Sequence, residues 1–275
     1  MTDIYLDFCF AKIKLNMMTK VTETLADKEQ TSLILGQAAL LVWGEVQDDG
    51  IDLAALNNWW TNEHLPERLS IPGFRRARRY GGRHQTTSQH QYLTLYEVDG
   101  VATLTSDAYM AKLNDPTLGT QEHLPTLAKM NRAACILLHS DIRPELRMCR
   151  TGLGGSLFMG VATVSSVGDA LEKAMGQVQT WFQRICDENK SVMAFHLFLE
   201  DVEATQPGSQ SQSYRDVPLG TEEERDRVRL IVVLEGTSPF EDYEKQYRLL
   251  SDLLIASEGK QCSSQVFQLM CSVRN

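Results

Sequence analysis

Trp60–Tyr80 reads WTNEHLPERLSIPGFRRARRY and carries three structural signals in succession. Its first part continues a helical pattern that opens upstream. Leu53, Leu56, Trp60 and His64 recur at spacings of three and four, and Asp52 can cap the first turn, so Asp52–Glu67 is predicted helical. Pro72-Gly73 then breaks the chain, because proline removes a donor and glycine admits turn geometry. Phe74–Tyr80 follows as a strand.

Working outward, Ala38–Gly44 (AALLVWG) is a short apolar run bounded by polar residues and suits a buried strand. Downstream, Gly81-Gly82-Arg83 and the polar stretch to Gln91 make a hairpin connection into Tyr92–Val98 (YLTLYEV), which alternates as a strand. Ser106–Leu113 reads as a short helix, Asn114-Asp115-Pro116 as a turn and Ala133–His139 (AACILLH) as a strand. The order is β-α-β-β-α-β, the ferredoxin-like unit. It then recurs. Leu157–Val164, Val192–Glu200, Val228–Glu235 and Gln265–Val273 are strand-like, with helices over Asp169–Cys186 and Phe240–Ser257. Two units with one element order argue for duplication.

The expected architecture is α+β: two ferredoxin-like repeats packed sheet to sheet as a single-chain dimeric α/β barrel. Residues 1–36 form an extension with a short helix near Val21–Lys28, 37–140 the first half, 141–156 a Pro- and Gly-containing linker, and 157–275 the second half. Within the latter, 201–227 is polar and long for a hairpin, so it is expected as a mobile loop or lid. A sheet covered by helices on one face must bury the other, and joining the two open faces would enclose a cavity for a small ligand. Because one chain holds both halves, a monomer is expected.

Composition narrows the function classes. Net charge is −9 with 43% hydrophobic and 23% charged residues, so the chain reads as globular and lacks the basic field that draws nucleic acid. The run Arg75-Arg76-Ala77-Arg78-Arg79 lies in a strand and splits between two faces. No apolar run approaches the roughly 20 residues that span a bilayer, and Met1–Phe10 lacks the basic start of a secretory signal. Six cysteines without CxxC or Cys/His spacing suggest a reducing, cytoplasmic setting and no metal site.

The Glu63-His64-Leu65-Pro66 helix end after Trp59, the Pro72-Gly73-Phe74 strand start and the Tyr92-Leu93-Thr94-Leu95-Tyr96-Glu97 strand resemble a dimeric α/β-barrel family related to EthD-like and stress-responsive barrel proteins. The resemblance covers about the first half. The second matches in element order only and has no Glu-His-Leu-Pro at its helix end. It implies the barrel fold, and it spans cofactor-free monooxygenases, cyclases, decarboxylases, isomerases and haem enzymes. Tandem forms resemble proteins found beside fungal biosynthetic enzymes, which implies an aromatic or polyketide-like substrate.

The candidate residues follow from chemistry. His64, at a helix end, can exchange a proton near neutral pH. His196 alternates with Ala194, Phe198 and Glu200 on the strand face that should meet the partner sheet, opposite Met193, Phe195, Leu197 and Leu199. Period two puts Phe74, Arg76, Arg78 and Tyr80 on one face of their strand, where a guanidinium could hold an enolate or phenolate. The competing reading is a set of ion pairs to Glu63, Glu67 or Glu97. Tyr92 and Tyr96 could add phenol donors. The expected roles are proton transfer for His64 and His196 and oxyanion stabilisation for Arg78 and Tyr96. Substrate contact would fall to Trp43, Trp60, Phe74, Arg76, Tyr80, Tyr92, Phe198 and Glu200. The leading expectation is a cofactor-independent lyase, isomerase or cyclase acting by proton transfer in a pocket between the halves. The alternatives are a cofactor-free or haem-dependent barrel monooxygenase and a non-catalytic small-molecule-binding protein.

Overall fold

A computed structural model describes residues 33–47, 50–82, 89–146, 154–165, 170–217, 227–237 and 261–275, with positions 219, 248, 250 and 252. The expected helix at Val21–Lys28 lies outside these residues, as does most of the one expected over Phe240–Ser257. Eight strands are present: β1 (Ala38–Gln47), β2 (Phe74–Gly82), β3 (Gln89–Val98), β4 (Ala128–Ile142), β5 (Ser156–Ser165), β6 (Val192–Glu200), β7 (Arg227–Gly236) and β8 (Gln261–Arg274). They close into one barrel in the order β1-β3-β2-β8-β5-β7-β6-β4, every neighbouring pair antiparallel. The order β4-β1-β3-β2 of the first half repeats as β8-β5-β7-β6 in the second, so the chain is a pseudo-dimer. Its two sheets join edge to edge at the β2–β8 and β4–β6 seams.

Helices cover the outside. In the first half, α1 (Leu53–Trp59) is capped by Asp52, whose carboxylate accepts from the Ala54 and Ala55 amides. A π-helical turn, Trp60–His64, and α2 (Leu65–Leu69) continue it. The turn at Gly73 follows, at φ 91°, a left-handed conformation that favours glycine. After β3 come α3 (Asp107–Asn114), capped by Ser106, and α4 (Leu118–His123), capped by Thr117. The second half has α5 (Ala170–Glu188) between β5 and β6. No described helix is long and apolar enough to cross a membrane.

The segment 201–227, expected as a loop, contains α6 (Val202–Ser209), capped by Asp201 at the Ala204 amide, and a 3-10 turn at Gln212–Tyr214. It crosses from the second half onto the first. Thr205 Oγ1 accepts from the Ala134 amide at 2.9 Å, and Ser213 Oγ donates to the Leu113 carbonyl at 2.8 Å. Ala204, Tyr214 and Val217 join the first-half core.

Strand alternation divides the apolar residues into three layers. Leu41, Trp43, Tyr80, Leu93, Leu95, Leu137, Met159, Phe198, Ile231, Val233 and Phe267 fill the barrel interior. Leu40, Val42, Tyr92, Tyr96 and Val98 face the first-half helices, while Phe195, Leu197, Val232 and Leu234 face α5. These packed side chains take up much of the space between the halves where a cavity was expected. β2 departs from strict alternation. A bulge between Phe74 and Arg76 turns Phe74 to the helix side with Ala77, while Arg76, Arg78 and Tyr80 point inward.

Candidate functional site

The sheet separates the expected site residues into two groups. Trp43, Arg76, Arg78, Tyr80, His196, Phe198 and Glu200 belong to the interior. His64, Trp60, Phe74, Tyr92 and Tyr96 belong to the first-half helix side and do not meet the others.

The interior group is a buried polar joint between the halves. Arg78 and Glu235 are both 0% exposed, with Nη1 and Oε1 2.5 Å apart. Arg78 Nε lies 2.8 Å from Glu97 Oε1, off line for a hydrogen bond, and Arg76 chelates the same Glu97 with Nε at 3.0 and 3.1 Å from its two oxygens. His196 is engaged at both ring nitrogens, by Glu235 at 3.0 Å and Ser140 Oγ at 2.8 Å. Burial acting alone would raise the Glu235 pKa. The Arg78 charge and the His196 hydrogen bond outweigh it and hold the carboxyl below its usual range. Burial pushes the Tyr80 hydroxyl above its ordinary value. At the other end of β7, Arg229 grips Glu200 through Nε at 2.6 Å and Nη2 at 2.5 Å and stacks over Trp43 at 5.3 Å. His196 is held on both sides and the arginines are held by carboxylates, which leaves Arg78 Nε and Nη2 as the guanidinium nitrogens here without a hydrogen-bond acceptor. Of the ion-pair partners expected for the β2 arginines, Glu97 is found with Arg76 and Arg78, Glu63 and Glu67 are not, and Glu235 is a partner the sequence did not point to.

The layer between the first-half sheet and its helices differs. His64 is 6% exposed, and its Nδ1 has no hydrogen-bond partner. Glu67 Oε2 stands 3.9 Å away, beyond hydrogen-bond reach. Both Glu67 oxygens, Arg68 Nη1, Arg79 Nε, Thr94 Oγ1 and Arg132 Nε are likewise buried and unpartnered. The floor is a cross-strand row, Arg79–Thr94–Val42–Arg132, fixed by the pairings of β2 with β3, β3 with β1 and β1 with β4. Arg79 stacks on Trp60 at 4.4 Å and Tyr92 at 4.8 Å. Arg132 donates to Tyr109 Oη at 3.1 Å and to the Thr205 carbonyl at 2.6 Å. Tyr214, brought by the segment after α6, lies 5.7 Å from the Arg132 guanidinium.

The electrostatics of this layer are set by burial and by its arginines. Burial, with Arg68 and Arg79 adding to it, lowers the His64 pKa well below its ordinary value, so the imidazole is neutral at pH 7. Burial raises the Tyr96 hydroxyl well above its usual range; Tyr214, Tyr109 and Glu67 reinforce the shift and Arg68 opposes it. The π-helical turn ends at His64. Such single inserted turns recur at functional sites.

The equivalent layer of the second half is apolar. Register places Leu197, Val232, Gly160 and Ser264 where the first half has Arg79, Thr94, Val42 and Arg132, and Leu234 where it has Tyr96. The two layers share one geometry, and among the described residues only the first carries arginines in this row; the buried unpartnered polar atom of the second is Trp181 Nε1. Sequence reasoning found His64 and Tyr96 of this set. It missed Glu67, Arg68 and Arg79 as site residues, although they sit in the opening stretch. Arg132 had one signal, a charge beside the apolar run Ala133–His139. Tyr109 and Tyr214 had none.

No protein-family profile matches the sequence, and no curated protein does. Among solved structures, an anthrone oxidase-like protein is 10% identical, with TM-score 0.51 over 88% of this chain and 95% of that one. A candidate monooxygenase from Fusobacterium nucleatum is 8% identical, at TM-score 0.47 over 88% of this chain and 96% of the other. A haem-binding protein from Thermus thermophilus is 10% identical, at TM-score 0.42 over 88% and 94%. At such identities the likeness is one of fold: the dimeric α+β barrel, here closed within a single chain. Haem does not fit at His64. Trp59 covers the imidazole at 4.8 Å between ring centres, and Nδ1 faces Glu67, leaving no porphyrin face beside it.

Proposed function

We propose that the chain is an enzyme of small-molecule metabolism whose site is the first-half helix–sheet layer, and that His64 moves a proton there on a planar phenolic or enolisable substrate. The observation that carries this reading is that one layer holds buried, unpartnered polar atoms of His64, Glu67, Arg68, Arg79, Thr94 and Arg132, beside the neutral His64 imidazole. Folded proteins rarely leave such groups unpaired. Each costs about 1–3 kcal/mol when nothing satisfies it, so a cluster of them favours a guest that supplies the partners.

The roles follow from position. Neutral His64 can accept a proton at Nδ1. Thr94 and Tyr96 can donate to the oxygen on which the resulting charge settles. Trp59, Trp60 and Phe74 provide walls. The anion can then be reprotonated at another atom, cyclise or lose carbon dioxide. The Glu-His-Leu-Pro resemblance to EthD-like barrels supports the same residue as the centre. Arg78 and His196 take the structural role of joining the halves.

A second reading shares the first step and ends differently. The substrate anion would reduce dioxygen, as anthrone does in becoming anthraquinone with one water released. The anthrone oxidase-like neighbour favours it.

Both are tested by incubating enolisable phenols, β-dicarbonyl compounds and anthrone with the protein in D2O, following deuterium uptake by NMR and oxygen by electrode. Exchange that is lost in a folded His64→Gln variant supports the proposal, and oxygen uptake selects the second reading. Exchange unchanged in His64→Gln removes His64 from the chemistry. No exchange and no uptake across the panel leaves a binding protein.

A further inference from the structure

Among the described residues, guanidiniums outnumber carboxyl groups in the first-half layer. Arg68, Arg79 and Arg132 are 3%, 0% and 2% exposed, and the carboxylate among them is Glu67, at 3.8 Å from Arg68 Nη2. Among the described residues these three guanidiniums stand against the Glu67 carboxyl and, at the foot of α6, that of Asp201, which is 5% exposed. Among the described residues no carboxylate lies within ion-pair distance of Arg79 or Arg132. Asp201, at the foot of α6, accepts from the Ala204 amide with Oδ1. Buried cations are ordinarily paired, because their desolvation is otherwise uncompensated.

The contrast with the barrel interior sharpens the point. There Arg76 and Arg78 meet Glu97 and Glu235, two cations against two carboxylates, and His196 is held on both sides. Among the described residues, the interior arginines each meet a carboxylate at ion-pair distance, and Arg79 and Arg132 of the helix–sheet layer do not. Each of the three guanidiniums of the helix–sheet layer also has a nitrogen without an acceptor, Arg68 Nη1, Arg79 Nε and Arg132 Nε, as Arg78 of the interior has in Nε and Nη2. Arg79 and Arg132 stand at the two ends of the floor row with Thr94 and Val42 between them, a span of roughly 14 Å at the usual strand spacing. Tyr96, Tyr109 and Tyr214 line the same space with phenol groups, so the layer offers N–H and O–H donors to an aromatic anion.

From this we infer that the substrate is an aromatic or enolic carboxylate, bound as the anion, with Arg132 and Arg68 as its anchors. The inference rests on the helix–sheet layer being the ligand site. Guanidinium forks suit carboxylates because two parallel N–H groups meet two oxygens. Tyr109 and the Thr205 carbonyl fix the Arg132 fork before any ligand arrives, so an anion bound there would meet a group already oriented.

The test uses the full chain and three matched pairs of probes: benzoate, salicylate and 1-hydroxy-2-naphthoate, each against its uncharged amide. Binding is read by calorimetry and by quenching of tryptophan fluorescence. The expected result is at least a tenfold preference for the carboxylate in one or more pairs. Arg132→Gln and Arg68→Gln should reduce the preference toward one, and Arg132→Lys, which keeps the charge, should retain part of it. Gly176→Ala, on α5 of the second half, should leave it in place. Circular dichroism checks that each variant folds. Amides binding as tightly as acids, with affinity still sensitive to Arg132→Gln, would overturn the anionic substrate while leaving the site intact. Carboxylate binding indifferent to all three arginine substitutions would place the ligand elsewhere and overturn both. Absence of binding by every probe would also overturn the inference.

Discussion

Arg78 on β2 reaches across the barrel interior to Glu235 on β7, its Nη1 2.5 Å from Oε1, and so ties the first half of the chain to the second through two side chains that see no solvent. His196, which register makes the second-half counterpart of Arg78, touches the same Glu235 oxygen. Removing the carboxylate leaves a buried cation with Glu97 as its remaining counterion. Glu235→Gln should therefore destabilise the protein by about 3 kcal/mol at pH 7, in the range found when one partner of a buried pair is lost. Because the folded pKa of Glu235 is depressed, its contribution is present above the ordinary carboxyl pKa of about 4.3 and is lost as pH falls toward the lower folded value. Urea midpoints of wild type and Glu235→Gln should converge as pH is lowered from 5. Parallel curves would show that the pair is not what the acid side titrates.

Both seams of the barrel are made within one chain, from Arg76↔Arg274 to Gly82↔Phe267 on one side and from Cys135↔Glu200 to Ile142↔Ala194 on the other. A closed sheet has no open edge to offer a second copy. Light scattering is expected to give the 31.0 kDa of a monomer across the concentration range. A constant mass of twice that value would count against intramolecular closure.

His64 gives a second pH signature, of opposite origin. Its folded pKa lies well below 6.5 because burial and the Arg68 and Arg79 charges disfavour the imidazolium. Above pH 6.5 folded and unfolded states hold the same proton count at this residue. Below it the unfolded state takes up the proton first, so stability falls with pH by at most about 1.4 kcal/mol per unit. Between pH 7 and 5.5, wild type should lose stability faster than His64→Gln, by chemical denaturation at matched ionic strength. Equal slopes would mean that His64 is not held neutral.

The strands were legible because their side chains alternate in hydrophobicity, and on β6 the faces were legible as well: Phe195, Leu197 and Leu199 lie against α5, and His196 and Phe198 point inward. β2 was not legible in the same way. Arginine occurs on both of its faces, and the bulge after Phe74 shifts the alternation by one residue, so strict period two groups Phe74 wrongly with Arg76, Arg78 and Tyr80. The site was harder still. His64 stood out as a titratable residue at a helix end, but its surroundings depend on contacts that no local pattern encodes. Arg132 comes from the far edge of the same sheet, and Tyr214 from a polar stretch of the other half. The expected pocket between the sheets followed from treating the open faces as apolar surfaces left partly unfilled. In the molecule Trp43, Tyr80, Phe198 and Phe267 are large enough to help fill that space.

Gly208, in the last turn of α6, offers a test of how closely the Arg132 fork is held. A Cβ there would collide with Arg132 Nη2 and Cζ. The guanidinium cannot simply swing aside, because Nη1 is bonded to the Thr205 carbonyl and Nη2 to Tyr109. Helix propensity favours alanine over glycine by about 1 kcal/mol at an unobstructed interior site, and α5 supplies such a site in Gly176, whose Cβ would meet nothing within 4 Å. The two glycine-to-alanine substitutions should therefore differ in sign. Gly176→Ala should raise stability by up to about 1 kcal/mol. Gly208→Ala should lower it by about 1–3 kcal/mol, the usual cost of an extra group forced into a packed interior, and should weaken carboxylate binding as the fork is displaced. Urea midpoints decide the first comparison and calorimetry the second. If Gly208→Ala proves as harmless as Gly176→Ala and leaves binding unchanged, Arg132 is free to move and is not a pre-set anchor.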